Sequence, residues 1–502
     1  MKKLKFSQLK MGAAISYFSM AFSIVAGLVY TPWMVAKIGQ SNYGLYTLAN
    51  SLIMIFVMDF GLGSAVSRFV AKYRAEGRVQ DINNILGVIY KLYIGIDIAI
   101  FAVLAGVFLF VGKIYGELTP TELETFKSLY LIVAGYHILA FPFTPLNGIL
   151  NAYEKFIQLK ICDLVYKVFS VLSVVVVLFF SSSVVAVISA NVLTHMLVVV
   201  LKFVFVKASV PVKTNFRASG KSLYRNLFSF TLWTTIISIM QRFTHSFAPS
   251  VLGMTSGSKE IALYAPAVTL EGYYYTFGQA INGLFLPRVS QYIADGEEDK
   301  ILKLMIKVGR YQAMVLGLIF IGFICVGKDF MTLWMGSDYI KTYYLAITIL
   351  FPTLISSTQQ IAKTTVIAKK LVRYEAMCMS ITGVIGLAIS YLLSLKVGAL
   401  GVCIGTAVTA LANVVYMNFI YKKKAGINVF EFYKKCYIRL IPCYGLSVLA
   451  GLAVAKYVPL DGWLGLGVKV VIIIAAYGIL AGIFYISKDE KKQLLKKLKK
   501  AG

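Results

Sequence analysis

Apolar stretches of about 18 to 28 residues recur along the whole chain and are joined by short polar loops. The hydrocarbon core of a bilayer is about 30 Å thick, and an α-helix needs about 20 apolar residues to cross it. With 59% hydrophobic and only 14% charged residues, the chain could not cover a soluble domain with polar groups. The pattern therefore predicts an all-α, polytopic membrane protein.

Taken in order, the apolar stretches predict fourteen transmembrane helices, which would place both chain ends on one side of the membrane. The predicted spans are 11–33, 43–66, 84–111, 128–150, 161–179, 184–201, 227–252, 261–286, 302–326, 342–366, 375–394, 398–420, 437–455 and 464–486. The division between the fifth and sixth spans depends only on the three serines at 181–183.

Lysine and arginine are concentrated in alternate loops. With a cytoplasmic N-terminus, 33 of the 50 Lys and Arg residues lie in inside segments and 8 lie in outside loops. Cytoplasmic loops normally carry this excess. The pattern predicts cytoplasmic N- and C-termini and explains most of the +28 net charge without a nucleic-acid partner. The basic tail KDEKKQLLKKLKK (488–500) also suits anionic membrane lipids.

Motifs for catalysis or metal binding are absent from the sequence. There is no GxxxxGK[ST] phosphate loop, HExxH pair or nucleophile elbow, and the six cysteines show no metal-binding spacing. No outside loop exceeds about 17 residues, so an external active site has no place to form. We therefore expect a protein that is not an enzyme and has no cofactor or metal.

Two stretches resemble each other at an offset of six spans. YGLYTLANSL (43–52) resembles ALYAPAVTL (262–270), and KYRAEG (72–77) resembles QYIADG (291–296). An even offset gives both copies the same orientation, as in the parallel repeats of some transporters. The predicted domains are an N-terminal six-helix bundle (1–206), a basic cytoplasmic linker (207–226), a C-terminal six-helix bundle (227–421), two additional helices (422–486) and a basic cytoplasmic tail (487–502).

A polar stripe interrupts the predicted span 227–252. Ser238, Arg242 and His245 lie at i, i+4 and i+7 on one helix face, and Gln241 is beside them. Arg242 would lie about 15 Å from the outer end of the span. A lipid-facing arginine near the midplane costs about 2.5–3.5 kcal/mol. The side chain is therefore expected to face protein or water.

The next predicted span carries a second polar stripe, formed by Glu271, Tyr275, Gln279 and Asn282. Two interpretations of the stripes stay open. Arg242 and Glu271 can form a buried ion pair that joins two helices. Alternatively, Arg242 binds an anion such as a phosphate, because its planar guanidinium stays charged and donates two parallel hydrogen bonds.

Further ionisable residues inside predicted spans are weaker candidates. Those for substrate binding are Lys91, Lys167 and Lys363, and those for ion coupling are Asp97, Glu271 and Asp59. Asp59 can also form a local pair with Arg68. We interpret His137 and His195 as hydrogen-bonded core histidines rather than proton carriers.

Three stretches resemble a known family. PWMVAKIGQSNYGLY (32–46) and MDFGLGSAVSRFVAKYRAEG (58–77) are similar to the opening of polysaccharide-transporter (Wzx-type) flippases. FPFTPLNGILNAYEKF (141–156) is similar to the fourth span and following loop of that family, which belongs to the multidrug/oligosaccharidyl-lipid/polysaccharide exporter (MOP) superfamily. The matching residues of the opening are Pro32, Gly39, Tyr43, Gly44, Asp59, Gly61, Leu62 and Arg68.

The resemblance implies two six-helix bundles around a central cavity with alternating access. The implied cargo is an undecaprenyl-pyrophosphate-linked oligosaccharide, flipped from the inner to the outer leaflet of a bacterial cytoplasmic membrane. Cationic cavity residues would bind the pyrophosphate, and Arg242 is the candidate here. Tyr273 to Tyr275 are candidates for stacking on sugars. Expected partners are H+ or Na+ as coupling ion, a polysaccharide polymerase and glycosyltransferases.

Other functions stay open. A drug or small-molecule exporter of the same superfamily would be expected to have twelve spans and an acidic cavity. A lipid II flippase would be expected to have more cavity arginines, and a membrane glycosyl polymerase or ligase would need a larger external loop. The first span offers only Ser16, Ser19 and Ser23 at the position equivalent to Arg242, so the expected cavity charge is lopsided.

Overall fold

The computed structural model describes residues 2–56, 62–218, 235–236, 238–240, 246–279 and 285–485. Within these ranges the chain forms helices joined by turns and short loops, with no β-strand. A bilayer core holds no water to satisfy backbone N–H and C=O groups, so a spanning segment must be helical or part of a closed barrel. The apolar stretches fold as helices, and the predicted all-α polytopic class is confirmed.

The chain forms two compact units. Unit 1 comprises residues 1–265 and 387–402, and unit 2 comprises residues 266–386 and 403–502. The helices are α1 (Lys2–Ile38), α2 (Gln40–Phe56), α3 (Leu62–Ala75), α4 (Val79–Leu109), α5 (Val111–Ile114), α6 (Pro120–Ala140), α7 (Pro145–Ala152), α8 (Phe156–Phe180), α9 (Val184–Ser209), α10 (Ala248–Thr255), α11 (Gly257–Gln279), α12 (Leu286–Ala294), α13 (Glu298–Met335), α14 (Ile340–Ser357), α15 (Gln360–Ala368), α16 (Val372–Val397), α17 (Ala399–Lys423), α18 (Val429–Tyr437), α19 (Leu440–Tyr457) and α20 (Gly462–Phe484).

Eleven helical segments among the described residues are long and apolar enough to cross a membrane, and each overlaps one predicted span. The predicted spans 43–66, 227–252 and 261–286 include residues outside the described ranges, so the count of fourteen stays a prediction. The division at residues 181–183 is confirmed, because α8 and α9 are separate helices on either side of it.

Two predicted spans are interrupted in the structure. The segment 128–150 consists of the second part of α6, a single 3-10 turn at Phe141–Phe143, and the first part of α7. Pro142 and Pro145 lie at this break, where a proline cannot donate the backbone hydrogen bond that continues a helix. The segment 342–366 is divided between α14 and α15.

Helix α4 illustrates how each span divides into a protein face and a lipid face. Its buried stripe repeats at i, i+4, i+7 and i+11 and consists of Tyr93, Asp97, Ile100 and Leu104. Its exposed stripe includes Ile94, Ile98 and Phe101. Large apolar side chains at more than 40% exposure suit a lipid environment, so a buried polar residue such as Asp97 faces protein.

Unit 2 is built around the 38-residue helix α13. Helices α19 and α20 pack against it, and polar side chains fix the contact. Tyr477 donates its hydroxyl to the backbone oxygen of Met314 at 2.8 Å, and Lys469 lies 2.9 Å from Asp329. The C-terminal helix pair is therefore an integral part of unit 2.

Candidate transport site

Five of the residues predicted for the site lie outside the described residues: Asp59, Gln241, Arg242, His245 and Asn282. Ser238 lies in a short helical segment, 238–240, and is partly exposed. The remaining candidates have described positions in unit 1 or unit 2 and are taken up unit by unit below.

In unit 2, the stripe on α11 is held by polar contacts with its neighbours. Thr353 on α14 donates its hydroxyl to Glu271 Oε1 at 2.8 Å. At the end of α11, the Gln312 side chain of α13 donates to the backbone oxygen of Gly278, the next-to-last residue of the helix, at 2.8 Å. These hydrogen bonds hold Glu271, Tyr275 and Gln279 along one face of the helix at fixed positions.

The three adjacent tyrosines of α11 differ in environment. Tyr274 is buried and donates its hydroxyl to the backbone oxygen of Leu316 at 2.9 Å, so it holds α11 against α13. Tyr275 is 41% exposed, and Tyr273 is partly exposed. Tyr274 therefore has a packing role, and Tyr275 keeps the accessible surface that a ligand contact requires.

Lys363 on α15 forms an ion pair with Glu375 at the start of α16. Its Nζ atom lies 3.0 Å from Glu375 Oε1, and the Glu375 side chain is 9% exposed against 36% for Lys363. A buried carboxylate needs a charged or hydrogen-bonding partner. Lys363 supplies that partner, which offsets much of the positive charge that we expected it to offer an anionic substrate.

The two lysine candidates of unit 1 contact backbone oxygens. Lys91 Nζ donates to the oxygen of Ala218 at 3.0 Å, which ties α4 to the segment after α9. Lys167 Nζ donates to the oxygen of Ser19 at 3.4 Å, between α8 and α1. Both are partly exposed, and both stabilise packing in unit 1.

Asp97 is a buried carboxylate in unit 1. It is 8% exposed, and its Oδ1 atom has no hydrogen-bond partner in the described part of the chain. Burying a charged carboxylate without a partner is costly, and proton uptake removes that cost. His137 on α6 is also buried, at 1% exposure.

The register between α4 and α6 places these two groups at the same depth. The rings of Tyr93 and Phe141 lie 5.3 Å apart, and the Tyr130 hydroxyl donates to the backbone oxygen of Leu104 at 2.8 Å. The residue numbers of both pairs add up to 234, so the helices are antiparallel with a constant register. The residue numbers of Asp97 and His137 also add up to 234. The buried carboxylate and the buried imidazole therefore lie at the same depth along the two helices.

Within unit 1, the N-terminal end of α6 contacts the start of α11. Thr119 and Glu122 form a capping box, in which Thr119 N donates to Glu122 Oε2 at 3.0 Å. Ser258 donates its hydroxyl to the other carboxylate oxygen, Oε1, at 2.6 Å. Nearby, the Tyr115 hydroxyl lies 3.4 Å from Ser250 Oγ, and burial raises the pKa of Tyr115.

The start of α17 is capped by the same region. Glu260 Oε2 accepts a hydrogen bond from the backbone N–H of Ala399 at 2.7 Å, which satisfies a free donor at the helix N-terminus. Ser256 donates its hydroxyl to the backbone oxygen of Ser394 at 3.2 Å. We call Glu122, Ser258, Glu260 and Ala399 the outer cluster, because the orientation predicted from the sequence would place them on the outside.

Sequence reasoning missed the outer cluster, although one of its four members, Glu122, lies in a local signature. Thr119, Pro120 and Glu122 follow the Thr-x-x-Glu pattern of a capping box, with proline at the first helical position. This pattern predicts a helix start. It contains no information about Ser258, because that contact joins residues 136 positions apart.

Residues 11–287, more than half of the chain, match the profile of a family described as "Polysaccharide biosynthesis protein". The chain belongs to the polysaccharide biosynthesis protein family. The resemblance noted in the sequence is therefore confirmed at the level of the family.

This member of the polysaccharide biosynthesis protein family has the fold of MOP-superfamily transporters. It is similar to a structure titled "Lipid II flippase MurJ, inward closed conformation", with a TM-score of 0.72 and 16% identity over 94% of this chain and 98% of that one. It is also similar to an inward-facing multidrug resistance MATE family transporter of the MOP superfamily, with a TM-score of 0.65 and 12% identity over 84% and 99% of the two chains.

A curated relative is the "Probable low-salt glycan biosynthesis flippase Agl15" of Haloferax volcanii. It is 23% identical over 191 residues, which are 38% of this chain and 40% of the relative. The alignment thus spans about two fifths of the relative's length.

Two glycines in the stretches that resemble the polysaccharide biosynthesis protein family have steric roles. A Cβ atom at Gly44 on α2 would lie 2.0 Å from the backbone oxygen of Ser258 on α11. A Cβ at Gly148 on α7 would lie 2.6 Å from the backbone oxygen of Gly63 on α3. At both places helix backbones approach too closely for any larger residue.

Proposed function

We propose that this protein flips undecaprenyl-pyrophosphate-linked oligosaccharides from the inner to the outer leaflet of a bacterial cytoplasmic membrane, for assembly of a surface polysaccharide. It acts by alternating access and is a transporter rather than an enzyme. One observation carries the proposal: a chain of the polysaccharide biosynthesis protein family has the fold of a lipid II flippase over 94% of its length.

A drug exporter of the same superfamily is the second candidate, and the extent of the structural similarity argues against it. The MurJ match covers 94% of this chain and the MATE match 84%. The fold of this chain therefore matches the flippase over a longer part of its length than it matches the exporter, which favours the flippase.

Depletion of the protein tests this function. We expect undecaprenyl-pyrophosphate-linked repeat units to accumulate, because the carrier is loaded in the cytoplasm and is not delivered to the polymerase. Mass spectrometry of extracted lipids measures the accumulation. Treatment of intact spheroplasts with periodate, which does not cross the membrane and oxidises sugar diols, then reports the leaflet. The accumulated sugars should be protected until the membrane is opened with detergent.

Each alternative function gives a different result. A drug exporter predicts no accumulation of lipid-linked sugars. A glycosyl polymerase or ligase predicts accumulation in the outer leaflet, where periodate destroys the sugars in intact spheroplasts. Accumulation of lipid II instead of polysaccharide repeat units would assign the cargo to peptidoglycan precursors.

We further propose that Asp97, opposite His137, binds the coupling proton. A buried carboxylate and an imidazole at one depth can share a proton. Whether this pair takes up or releases the proton then depends on the side of the membrane to which it is open. The other titratable side chains on the adjoining part of α6 are Tyr130 and Tyr136, and α3, which packs on α4, carries Arg68.

Asp97→Asn should remove the stimulation of flipping by a pH gradient. Asparagine keeps the size of the side chain and cannot bind or release the proton. One pH unit corresponds to about 1.4 kcal/mol per proton, so the wild-type flux should rise up to about tenfold when that gradient is imposed on proteoliposomes. The variant should keep only the gradient-independent flux.

The control for Asp97→Asn is Asp163→Asn, which neutralises a 49% exposed carboxylate of the same unit. Its response to the gradient should equal that of the wild type. Full stimulation of the Asp97→Asn flux by the pH gradient would contradict the assignment of Asp97. If only a sodium gradient stimulated the wild-type flux, the coupling ion would be sodium instead of the proton.

A further inference from the structure

Aromatic and amide side chains from five helices of unit 1 converge on one place. His195 on α9 lies 4.3 Å from Tyr166 on α8 and 5.3 Å from Tyr136 on α6, measured between ring centroids. Asn191, one turn before His195, donates its side-chain N–H to the hydroxyl of Tyr46 on α2 at 2.9 Å. We call the group the aromatic cradle; its members are Tyr30, Tyr46, Tyr136, Tyr166, Asn191 and His195.

Tyr30 joins the cradle from α1. Its hydroxyl lies within hydrogen-bonding reach of Tyr46 and close to Tyr166. Tyr136 and Asn191 are buried, at 5% and 6% exposure, and form the floor. Tyr30, Tyr46, Tyr166 and His195 are partly exposed. The cradle therefore has a packed base and an accessible aromatic surface above it.

The accessible surface of the cradle faces the protein interior rather than lipid. On α9, the exposed side chains Leu193 and Leu197 lie two residues before and after His195, which is a rotation of about 160° away from it. Of the neighbours of His195 on its own side, Thr194 and Val198 are buried, and Val192 and Val199 are partly exposed. His195 therefore lies at the edge of the buried face, and its ring contacts Tyr136 and Tyr166 rather than the side of α9 that carries Leu193 and Leu197.

Helix α2 gives the same result independently. Met54 is exposed, and most other described side chains of this helix are buried. Asn42, Tyr46 and Asn50 are partly exposed and lie at i, i+4 and i+8, on one stripe. Gln40, Ser41 and Thr47 of this helix are also polar and partly exposed, whereas the buried side chains are mostly apolar. Polar groups placed beside accessible rings are typical of a ligand site.

The chemistry of the cradle suits an uncharged, hydroxyl-rich ligand. Its contacts are made by phenol, imidazole and amide groups, without a carboxylate, ammonium or guanidinium among the six members. Lys167, next to Tyr166 on α8, donates to the backbone oxygen of Ser19. A pyranose ring has an apolar C–H face that stacks on aromatic rings, and hydroxyls that exchange hydrogen bonds with tyrosine and asparagine.

We propose that the aromatic cradle binds a sugar ring of the cargo, as a site separate from the arginine that we expect to hold the pyrophosphate. His195 then lies 11 residues into α9, about 16 Å along the helix, which is near mid-membrane. This inference rests on the proposed function and adds a carbohydrate subsite in unit 1. It also replaces the interpretation of His195 as a core residue.

The cradle is tested by comparing two ligands that differ only in sugar. Purified protein is titrated with undecaprenyl pyrophosphate and with the same lipid carrying a disaccharide, and binding is followed by native mass spectrometry. Tyr166→Leu keeps apolar volume and removes the ring. We expect it to weaken binding of the sugar-bearing lipid by about five- to tenfold and to leave binding of the bare lipid unchanged. Tyr166→Phe keeps the stacking ring, so it should retain most of the affinity for the sugar-bearing lipid and bind the bare lipid as the wild type does.

The matched control is Phe180→Leu at the end of α8, about 21 Å along the helix from Tyr166, where the ring is 88% exposed. Its affinities should be unchanged. If Tyr166→Leu fails to fold, His195→Gln supplies the same test. Equal weakening of both lipids, or no weakening, overturns the cradle. A wild-type protein that binds neither lipid contradicts the proposed function instead, so the two failures are distinguishable.

Discussion

Arg242→Ala should abolish export of the surface polysaccharide while the protein still inserts and folds. A guanidinium near the midplane can bind the cargo pyrophosphate through two charge-assisted hydrogen bonds. Truncating one partner of a desolvated charge pair costs about 2–5 kcal/mol, which corresponds to roughly 30- to several-thousandfold weaker binding. The measurement is flux of sugar-bearing lipid in proteoliposomes that contain equal amounts of wild-type and variant protein.

Two further variants separate cargo binding from a structural ion pair. Arg242→Lys keeps the charge and loses the planar fork, so partial activity is expected. Glu271→Gln removes the other charge of the pair, while its amide oxygen can still accept the hydrogen bond from Thr353. If Arg242 serves only to pair with Glu271, Arg242→Ala and Glu271→Gln should each leave a buried charge without its partner, and neither variant should accumulate in the membrane. Normal flux in Arg242→Ala would eliminate the cationic site.

The fold was predictable because bilayer thickness fixes the length of each helix, so apolar stretches of that length mark the helices. The orientation, which rests on the lysines and arginines of alternate loops, stays a prediction. Even the weakest boundary, at residues 181–183, lies where three small polar residues separate two apolar runs. The interruption at Phe141–Phe143 was also visible in principle, since Pro142 and Pro145 lie inside the stretch.

The partners of the site residues were much less predictable. Periodicity places residues on a helix face but does not identify the facing helix. Lys363 was predicted as a substrate contact, and its partner Glu375 lies in the next span, where nothing local marks it. The aromatic cradle joins Tyr30 to His195 across 165 positions, and each of its residues taken alone resembles ordinary core filling.

Gly44 shows that a sequence motif can indicate a family without revealing the contact that requires it. Its place in the sequence motif indicated a family, and only the structure supplies the physical reason, which is the backbone of Ser258 against α2. This contact lies beside the hydrogen bond from Ser258 to Glu122, so the glycine and the outer cluster form one closed end of unit 1. In a transporter with alternating access, such a contact is expected in one state and lost in the other.

Gly44→Ala should therefore reduce flux at least about fivefold by disfavouring the state in which the outer cluster is closed. The new methyl would overlap the Ser258 oxygen, since its Cβ would lie 2.0 Å away and ordinary contact begins near 3.4 Å. Relieving that overlap separates α2 from α11 and breaks the 2.6 Å bond to Glu122. Overpacking of this kind costs about 1–3 kcal/mol, enough to shift a two-state population about 5- to 150-fold.

The opening can be measured directly with a cysteine at position 258, where the serine is 3% exposed. In Ser258→Cys, a maleimide that cannot cross the membrane should react slowly from outside, and in Gly44→Ala with Ser258→Cys it should react quickly. Gly95→Ala is the matched control, since it is a helical glycine of unit 1 whose Cβ would meet nothing within 4 Å. Because alanine favours helix, this control should keep full flux and slow labelling. Normal flux and slow labelling in the Gly44→Ala protein would show that the close approach of α2 and α11 has no part in the transport cycle.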